Sequence, residues 1–179
     1  MTANSSPGTD ASLFVIREEA SDDADCIDAV NRAAFLDHPF SQQTEHLIVR
    51  GLRESGALTL SLVATVQGAI VAHVAASPVT IDGHETNWCG LGPVSVMPHH
   101  QRRGIGSALV RSALRRLRDA GRGGCVVLGD LAYYRGLGFA PQPGLAYPGA
   151  LPEHFMAVAW QGTVPDGVAA YHAAFAVRA

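Results

Sequence analysis

The sequence predicts a mixed α/β fold, α+β in character, with a central and mostly antiparallel sheet flanked by helices. Segments with a helical spacing of apolar residues alternate with short runs rich in β-branched residues. Gln67-Gly68 divides the β-rich stretch 58–81 and is typical of an antiparallel hairpin turn. A strand-helix-strand order follows over residues 88–130. The chain has 179 residues and no stretch of linker composition, so we expect one domain over residues 13–179 after a flexible tail of residues 1–12.

The first half of the chain carries strand and helix signals in turn. Residues 13–19 form a β-rich run, and Ser21 is expected to cap the helix that follows it. Thr44 and Glu45 begin a second expected helix, which Gly56 ends. Residues 88–97 resemble a further strand after a polar turn at residues 82–84. Pro93 cannot donate a backbone hydrogen bond, so this strand is predicted to contain a bulge or an unpaired edge.

The second half of the chain alternates helix and strand. A four-residue spacing of Ile105, Leu109, Ala113 and Leu117 predicts a helix, which stops at Gly121. Residues 124–130 are typical of a short, centrally buried strand, and residues 130–139 of a short helix or turn. Residues 155–160 are expected to form the last strand.

Composition indicates a globular protein of the cytoplasm. Hydrophobic residues make up 47% of the chain and charged residues 16%, and no apolar run approaches the ~20 residues of a membrane span. The first twelve residues lack the pattern of a signal or transit peptide. Cys26, Cys89 and Cys125 are odd in number and widely spaced, which argues against a disulfide framework and a zinc site. His99 and His100 show no metal-ligand spacing and are assigned to a loop surface, so we expect no metal.

The charge distribution argues against nucleic acid as a partner. The formal net charge is −3, so the chain has no global basic footprint, although arginines cluster over residues 102–122. Nucleic-acid binding by this arginine-rich helix remains a third-ranked hypothesis. Because the net charge is negative and the arginines are clustered, any binding of an anion is expected to be confined to that cluster.

Glycines and arginines meet at the start of the helix that Ile105 opens. The first N–H groups of a helix lack intrahelical partners, and Gly104 and Gly106 allow a ligand to approach the backbone closely. Arg102 and Arg103 add positive charge, which suits a polyphosphate. A dinucleotide fingerprint fits poorly because Leu109 occupies the position of its third glycine, and the chain has no Gly-Lys-Ser/Thr triplet of a P-loop. For these glycines alone, an ordinary solvated helix start would be the better interpretation.

The segment VMPHHQRRGIG, residues 96–106, resembles the signature of the GNAT (Gcn5-related N-acetyltransferase) superfamily. Together with VVLGDLAYYRGLGF, residues 126–139, it resembles the YhbS-like branch of predicted acetyltransferases, and the resemblance covers roughly residues 13–160. It implies a sheet that splays at the cofactor strand, acetyl-CoA as cosubstrate, a pantetheine arm along that strand and a pyrophosphate at the helix start. The cofactor-binding residues that the resemblance implies are Val94, Ser95, Val96, Gln101, Arg102, Arg103, Gly104, Ile105, Gly106 and Ser107.

The resemblance further implies transfer of an acetyl group to a primary amine by direct attack. Tyr134 matches the family pattern Y-x-x-x-G-F and is the expected general acid for the departing thiolate, whereas Tyr133 is expected to be an ordinary half-buried aromatic. The backbone N–H of Val96 is the expected donor to the thioester carbonyl.

The general base stays open. Residues 89–97 contain no carboxylate where family members often carry one, and this departure favours the alternative of a non-catalytic acyl-CoA binding or sensing domain. Glu45, His73 and Asp130 are possible substitutes for the base, although a first-turn charge, a strand histidine and a helix cap, respectively, explain each of them better. A water chain is the remaining route for the proton.

The acceptor is expected to be an amine of a small molecule, an amino acid or a peptide lysine. Residues 35–56 and 144–153 are expected to build its pocket. If the chain self-associates, a homodimer is the expected assembly, since dimers are the commonest soluble oligomers.

Overall fold

The computed structural model describes residues 14–39 and 41–177, and the predicted N-terminal tail, residues 1–12, lies outside the described residues. The described strands are β1 (Phe14–Glu18), β2 (Leu60–Val66), β3 (Ala69–Ile81), β4 (His84–Val96), β5 (Gly124–Leu128), β6 (Ala140–Pro141), β7 (Leu145–Ala146), β8 (Phe155–Ala159) and β9 (Gly167–Tyr171). The described α-helices are α1 (Ala24–Phe35), α2 (Glu45–Glu54), α3 (Ile105–Asp119) and α4 (Leu131–Arg135).

The strands form a mostly antiparallel sheet. Its main path runs β1-β2-β3-β4-β5-β8-β6, and β9 pairs with the far end of β3 and with β7. Only the β4–β5 and β7–β9 pairs of the described strands are parallel. The predicted mixed fold with a largely antiparallel sheet is therefore confirmed.

Two tight turns set the register of the central strands. Gln67 (φ 50°) and Gly68 (φ 84°) connect β2 to β3, and Asp82 (φ 50°) and Gly83 (φ 76°) connect β3 to β4. Two successive residues with positive φ form a type I′ turn, whose twist matches that of antiparallel strands. The predicted hairpin at Gln67-Gly68 is thus confirmed.

Helices cover both faces of the sheet because side chains alternate along each strand. Leu62 of β2 and Val74 of β3 share a buried cluster with Leu109 and Leu117 of α3. The next residues along these strands point the other way, and Val63 packs with α1 and α2. The sheet is therefore enclosed between α3 on one face and the α1–α2 pair on the other.

A bulge in β4 splits the sheet. Val94 lies opposite Val74 but Leu91 lies opposite Ala76, so two β4 residues, Gly92 and Pro93, oppose one residue of β3. On its other side β4 pairs with β5 only from Trp88 to Leu91. The last residues of β4, up to Val96, thus have no strand neighbour on the β5 side within the described chain, and the predicted splay and the bulge expected from Pro93 are confirmed.

Two boundaries differ from expectation. Residues 155–160 are not the last strand, because β9 follows and places the Tyr171 ring over Gly90, where a Cβ would lie 2.3 Å from Tyr171 Cε1. The first helix begins at Ala24 after the 3-10 turn Ser21–Asp23, and Ser21 does not cap it, because its hydroxyl donates to Asp22 Oδ1 at 3.0 Å.

Candidate active site

A cleft of about 430 Å³ opens along the unpaired edge of β4. Its walls are the end of α1, the segment that connects β4 to α3, the first turn of α3, and α4. The residues that line it are Ala34, Phe35, His38, Val94, Val96, His100, Gln101, Arg102, Gly104, Gly106, Ser107, Tyr133 and Tyr134.

The bulge decides which peptide groups of β4 face this cleft. Met97 N–H donates to the Val71 carbonyl at 2.8 Å, and in an antiparallel ladder the peptide groups that bond the partner strand alternate. Ser95 therefore faces β3, whereas the N–H and C=O groups of Val94 and Val96 face the open edge. The Gln101 side chain donates to the Val96 carbonyl at 3.1 Å, so the edge offers a ligand mainly Val94 and the N–H of Val96.

The start of α3 forms the second wall of the cleft. Gly104, the N-cap, has φ +80°, and a Cβ built on it would meet no atom within 4 Å. The first intrahelical bond runs from Ala108 N–H to the Gly104 carbonyl at 3.0 Å, so the N–H groups before Ala108 lack helical partners. The first turn carries no acidic residue, which leaves the positive end of the helix dipole uncompensated.

Gly106 allows three elements to converge. A Cβ at this position would lie 3.2 Å from the Tyr133 hydroxyl and 3.3 Å from Val96 Cγ2. The glycine therefore brings α3 close to both β4 and α4. The close packing of these elements therefore explains a glycine at position 106 even without a ligand.

Three of the predicted cofactor-binding residues do not line the cleft. Ser95 is 2% exposed, and its hydroxyl donates to the His73 carbonyl at 3.5 Å. Ile105 is 3% exposed and belongs to the core beneath α3. Arg103 is exposed outside the lining, whereas Arg102 contributes to it. The Ser95 backbone faces β3, so of these two buried residues only Ile105 can offer a backbone N–H for the predicted role.

Tyr134 is held firmly at the cleft by its surroundings. Asp130 caps α4 by accepting the backbone N–H of Tyr133 at 2.8 Å. The Tyr134 ring packs edge-on against Phe139 and so close to Gly129 that a Cβ there would lie 2.4 Å from Tyr134 Cε2. Burial, reinforced by Tyr133, raises the pKa of Tyr134 well above its ordinary value. The phenol is therefore protonated at neutral pH and can donate a proton but cannot accept one.

None of the three candidate bases lines the cleft. Asp130 caps α4, and the Glu45 carboxylate accepts a hydrogen bond from Ser41 Oγ at 2.6 Å. His73 is fully buried between the sheet and the α1–α2 pair. Their side chains thus serve helix starts and the interior rather than the cleft.

His73 belongs to a buried polar network. The Ser61 hydroxyl donates to the Glu19 carboxylate, so it accepts from His73 Nε2 at 2.9 Å, and Asn31 approaches His73 Nδ1 at 3.4 Å. Arg53 forms two hydrogen bonds to Glu19, at 2.9 and 3.0 Å. Burial lowers the pKa of His73 to about 4 although Glu19 opposes the shift, so the imidazole is neutral. The network joins Glu19, which directly follows β1, and the strands β2 and β3 to α1 and α2.

Sequence patterns missed part of the lining. His100 was expected on a loop surface, but it lines the cleft, and its Nδ1 is buried with no hydrogen-bond partner among the described residues. Phe35 and His38 fall in a segment expected to hold the acceptor, whereas Tyr147 of the other expected segment lines a separate apolar depression with Tyr171. No local signal places the end of α1 beside α4, because that proximity depends on how α1 crosses the sheet.

The described residues contain no group of three His, Cys, Asp or Glu side chains able to hold a metal ion. None of the described helices has the length and apolar character that a membrane span requires. Part of the α3 arginine cluster is paired within the chain, since Arg116 bonds Glu18 at 2.5 Å and Arg118 lies 3.6 Å from Asp119.

Comparisons with known proteins agree with this architecture. The model of the acetyltransferase (GNAT) family matches residues 24–139. The uncharacterized N-acetyltransferase YhbS of Escherichia coli K12 is 38% identical over 127 residues, which cover 70% of this chain and 73% of that protein.

Two solved structures are similar over nearly their whole length. A GNAT family acetyltransferase from Brucella melitensis, crystallised with acetyl-CoA, is 48% identical with a TM-score of 0.82 and covers 90% of this chain and 97% of its own. Escherichia coli YhbS, crystallised with CoA, is 33% identical with a TM-score of 0.84, and the match covers 96% of this chain and 97% of the YhbS chain. The chain therefore belongs to the GNAT family of acetyltransferases and is an acyltransferase enzyme.

Proposed function

We propose that the protein binds acetyl-CoA in the β4 cleft and transfers its acetyl group directly to a primary amine. The observation that carries this proposal is the meeting of three features in one cleft: the unpaired edge of β4, the glycine-bearing start of α3, and Tyr134. Relatives crystallised with acetyl-CoA and with CoA support the choice of cosubstrate. Acetyl-CoA supplies a thioester, whose carbonyl carbon an amine can attack.

The binding residues follow from the geometry of the edge and the helix start. The outward N–H and C=O of Val94 suit an extended chain with amide groups, as a pantetheine arm is, which leaves the N–H of Val96 for the thioester carbonyl. The N–H groups of Gly106 and Ser107 and the Arg102 guanidinium suit a pyrophosphate, because unpaired helix amides and a cation both favour negative charge. The residues present therefore fit the cosubstrate.

Two groups are assigned to the chemistry. The Val96 N–H is assigned to polarise the thioester carbonyl as a fixed dipole. Tyr134 is assigned to protonate the departing thiolate. With ordinary pKa values this transfer costs about 2 kcal/mol, and the raised pKa of Tyr134 adds to that cost, so the phenol must be close to the sulfur when the bond breaks.

Substitution of Tyr134 by phenylalanine tests the assignment. It removes one oxygen and little volume, so CoA should still bind, while acetyl transfer should fall by about 10²–10⁴-fold. Because burial raises the pKa of Tyr134, the wild type should show no loss of rate from its ionisation below about pH 10. The readout is thiol release with a panel of primary amines, under conditions in which chemistry limits the rate.

The neighbouring Tyr133→Phe variant is the control, since its ring lies on the same helix and lines the same cleft. It should lose much less activity. Unchanged turnover in a folded, CoA-binding Tyr134→Phe enzyme would overturn the assignment. A wild type that binds CoA but acetylates no amine of the panel would instead favour the alternative of a non-catalytic acyl-CoA sensor.

We also propose a cytoplasmic location, which the three free cysteines support. The acceptor is proposed to be an amine of a small molecule or a peptide. The expected homodimer stays a prediction.

A further inference from the structure

The proposed transfer leaves one requirement without a residue, namely an acceptor for the proton that the amine loses. Glu45, His73 and Asp130 are held away from the cleft. The described lining contains no carboxylate, and its only imidazoles, the side chains that most often act as general bases, are those of His38 and His100.

The two histidines stand in different parts of the cleft. His100 ends the 3-10 turn Pro98–His100 that follows β4, next to Gln101 and Arg102 at the end assigned to the pyrophosphate, and its Nδ1 is enclosed by protein. His38 follows the last turn of α1, where its N–H donates to the Phe35 carbonyl and its carbonyl accepts from Ser41 N–H, both at 3.1 Å. The rings of Phe35 and His38 meet edge to face at 5.6 Å, which places the imidazole beside an apolar wall of the cleft.

His38 and Tyr134 reach the cleft from opposite faces of the sheet. Tyr134 shares the buried cluster of α3, whereas α1 packs on the other face with Val63. The opening between β4 and β5 connects the two faces, so a ligand along the β4 edge has the phenol on one side and the imidazole on the other.

We propose that His38 is the general base of the reaction, an inference that rests on the proposed function. The free amine attacks the thioester carbon, so a C–N bond forms, the C–S bond breaks and the electron pair of that bond remains on sulfur. The nitrogen gives one proton to the His38 imidazole, and the sulfur takes one from the Tyr134 hydroxyl. Solvent then removes the proton from His38 and returns one to Tyr134, which restores both groups.

Several titratable or charged groups surround this imidazole. Asp37 precedes it in its own loop, and Glu45 opens α2 with its carboxylate bound by Ser41. From the other walls of the cleft, His100, Arg102, Tyr133 and Tyr134 face the same space. An altered pH profile must therefore be assigned by substitution of each histidine in turn.

The test compares His38→Gln with His100→Gln and with His99→Gln, a matched control whose exposed side chain lies outside the lining. The acceptors are the amine that the wild type acetylates fastest in a panel and an analogue made weakly basic by fluorine atoms beside the amino-bearing carbon. For each enzyme variant with each amine, kcat/KM is measured as a function of pH. CoA binding to each variant is measured by calorimetry.

His38→Gln should bind CoA as the wild type does, yet lose about 10²–10⁴-fold in kcat/KM for the basic amine. The acid limb that comes from an imidazole should disappear. The loss should shrink for the fluorinated amine, because its nitrogen holds a proton less tightly and needs the base less. If His38 had only a structural role, the substitution would lower kcat/KM by the same factor for both amines.

Equal losses for the two amines, an intact acid limb, or the same behaviour in His100→Gln instead of His38→Gln would each overturn the assignment of His38 alone. A wild type without transfer to any amine would overturn the proposed function and this assignment with it.

Discussion

Gly104 offers a test of the cofactor cradle that separates ligand binding from backbone strain. Its φ of +80° is unfavourable for other residues, so Gly104→Ala should lower the free energy of unfolding by about 1–2 kcal/mol. The new Cβ would meet no protein atom within 4 Å and would project into the space expected for the pyrophosphate. The variant should therefore fold but bind CoA poorly.

Gly121 is the matched control. It has the same φ of +80° and the same empty surroundings within 4 Å, but it lies after α3 and outside the cleft. Gly121→Ala should carry the same strain and bind CoA normally. The comparison thus cancels the backbone contribution.

The magnitude follows from linkage. CoA at a hundred times its Kd should stabilise the wild type by about 2.7 kcal/mol, which raises Tm by about 5–11 °C for a chain of this size. Weakening the charge-assisted amide bonds costs about 1.5–3 kcal/mol, or roughly 10- to 100-fold in Kd. At the same CoA concentration, the thermal shift of Gly104→Ala should then fall to about half or less.

The assay is a thermal unfolding scan of the three proteins with and without CoA. Equal shifts in Gly104→Ala and Gly121→Ala would refute the cradle at the start of α3. A loss in both variants would show that the strained backbone, and not the contact with CoA, controls affinity.

Two further predictions concern charge and pH. In a calorimetric titration, Arg102→Ala should weaken CoA binding by roughly 1–3 kcal/mol at low salt and by less at high salt. Arg103 lies outside the lining, so Arg103→Ala should weaken CoA binding less than Arg102→Ala does. Equal losses in the two variants that do not depend on salt would contradict this prediction. Burial lowers the pKa of His73 to about 4, so between about pH 6.5 and pH 4 the unfolded chain binds a proton at this residue and the folded chain does not. The free energy of unfolding should therefore fall by up to about 3 kcal/mol as the pH drops from 7 to 4. Urea unfolding of His73→Gln at several pH values should lack this part of the decrease, and a slope parallel to that of the wild type would contradict the assignment.

Local patterns predicted most of the sheet because local forces produce those parts. Gln67-Gly68 adopts positive φ at both positions and turns the chain whatever lies elsewhere. Pro93 cannot complete a ladder, and β4 bulges there. β9 escaped prediction because its pairing with β3 joins segments that are distant in sequence, and its small residues give little strand signal.

The candidate site was predictable where a motif marks it and not where tertiary geometry builds it. Gly104 and Tyr134 stand in recognisable motifs and do meet in one cleft. Which β4 peptides face that cleft depends on the register after the bulge, since a shift of one residue would exchange the orientations of Ser95 and Val96. His38 joins the lining only because α1 ends beside the open edge, and nothing in its neighbouring residues indicates this.

The hydrogen bond from Gln101 to Val96 also bears on self-association. An unpaired strand edge is a template on which another chain can add a strand. Here the Gln101 amide occupies the last outward carbonyl of β4, and the elements that wall the cleft close over both faces of the remaining edge. The walls of the ligand cleft thus also leave less of the split sheet's edge open to strand addition.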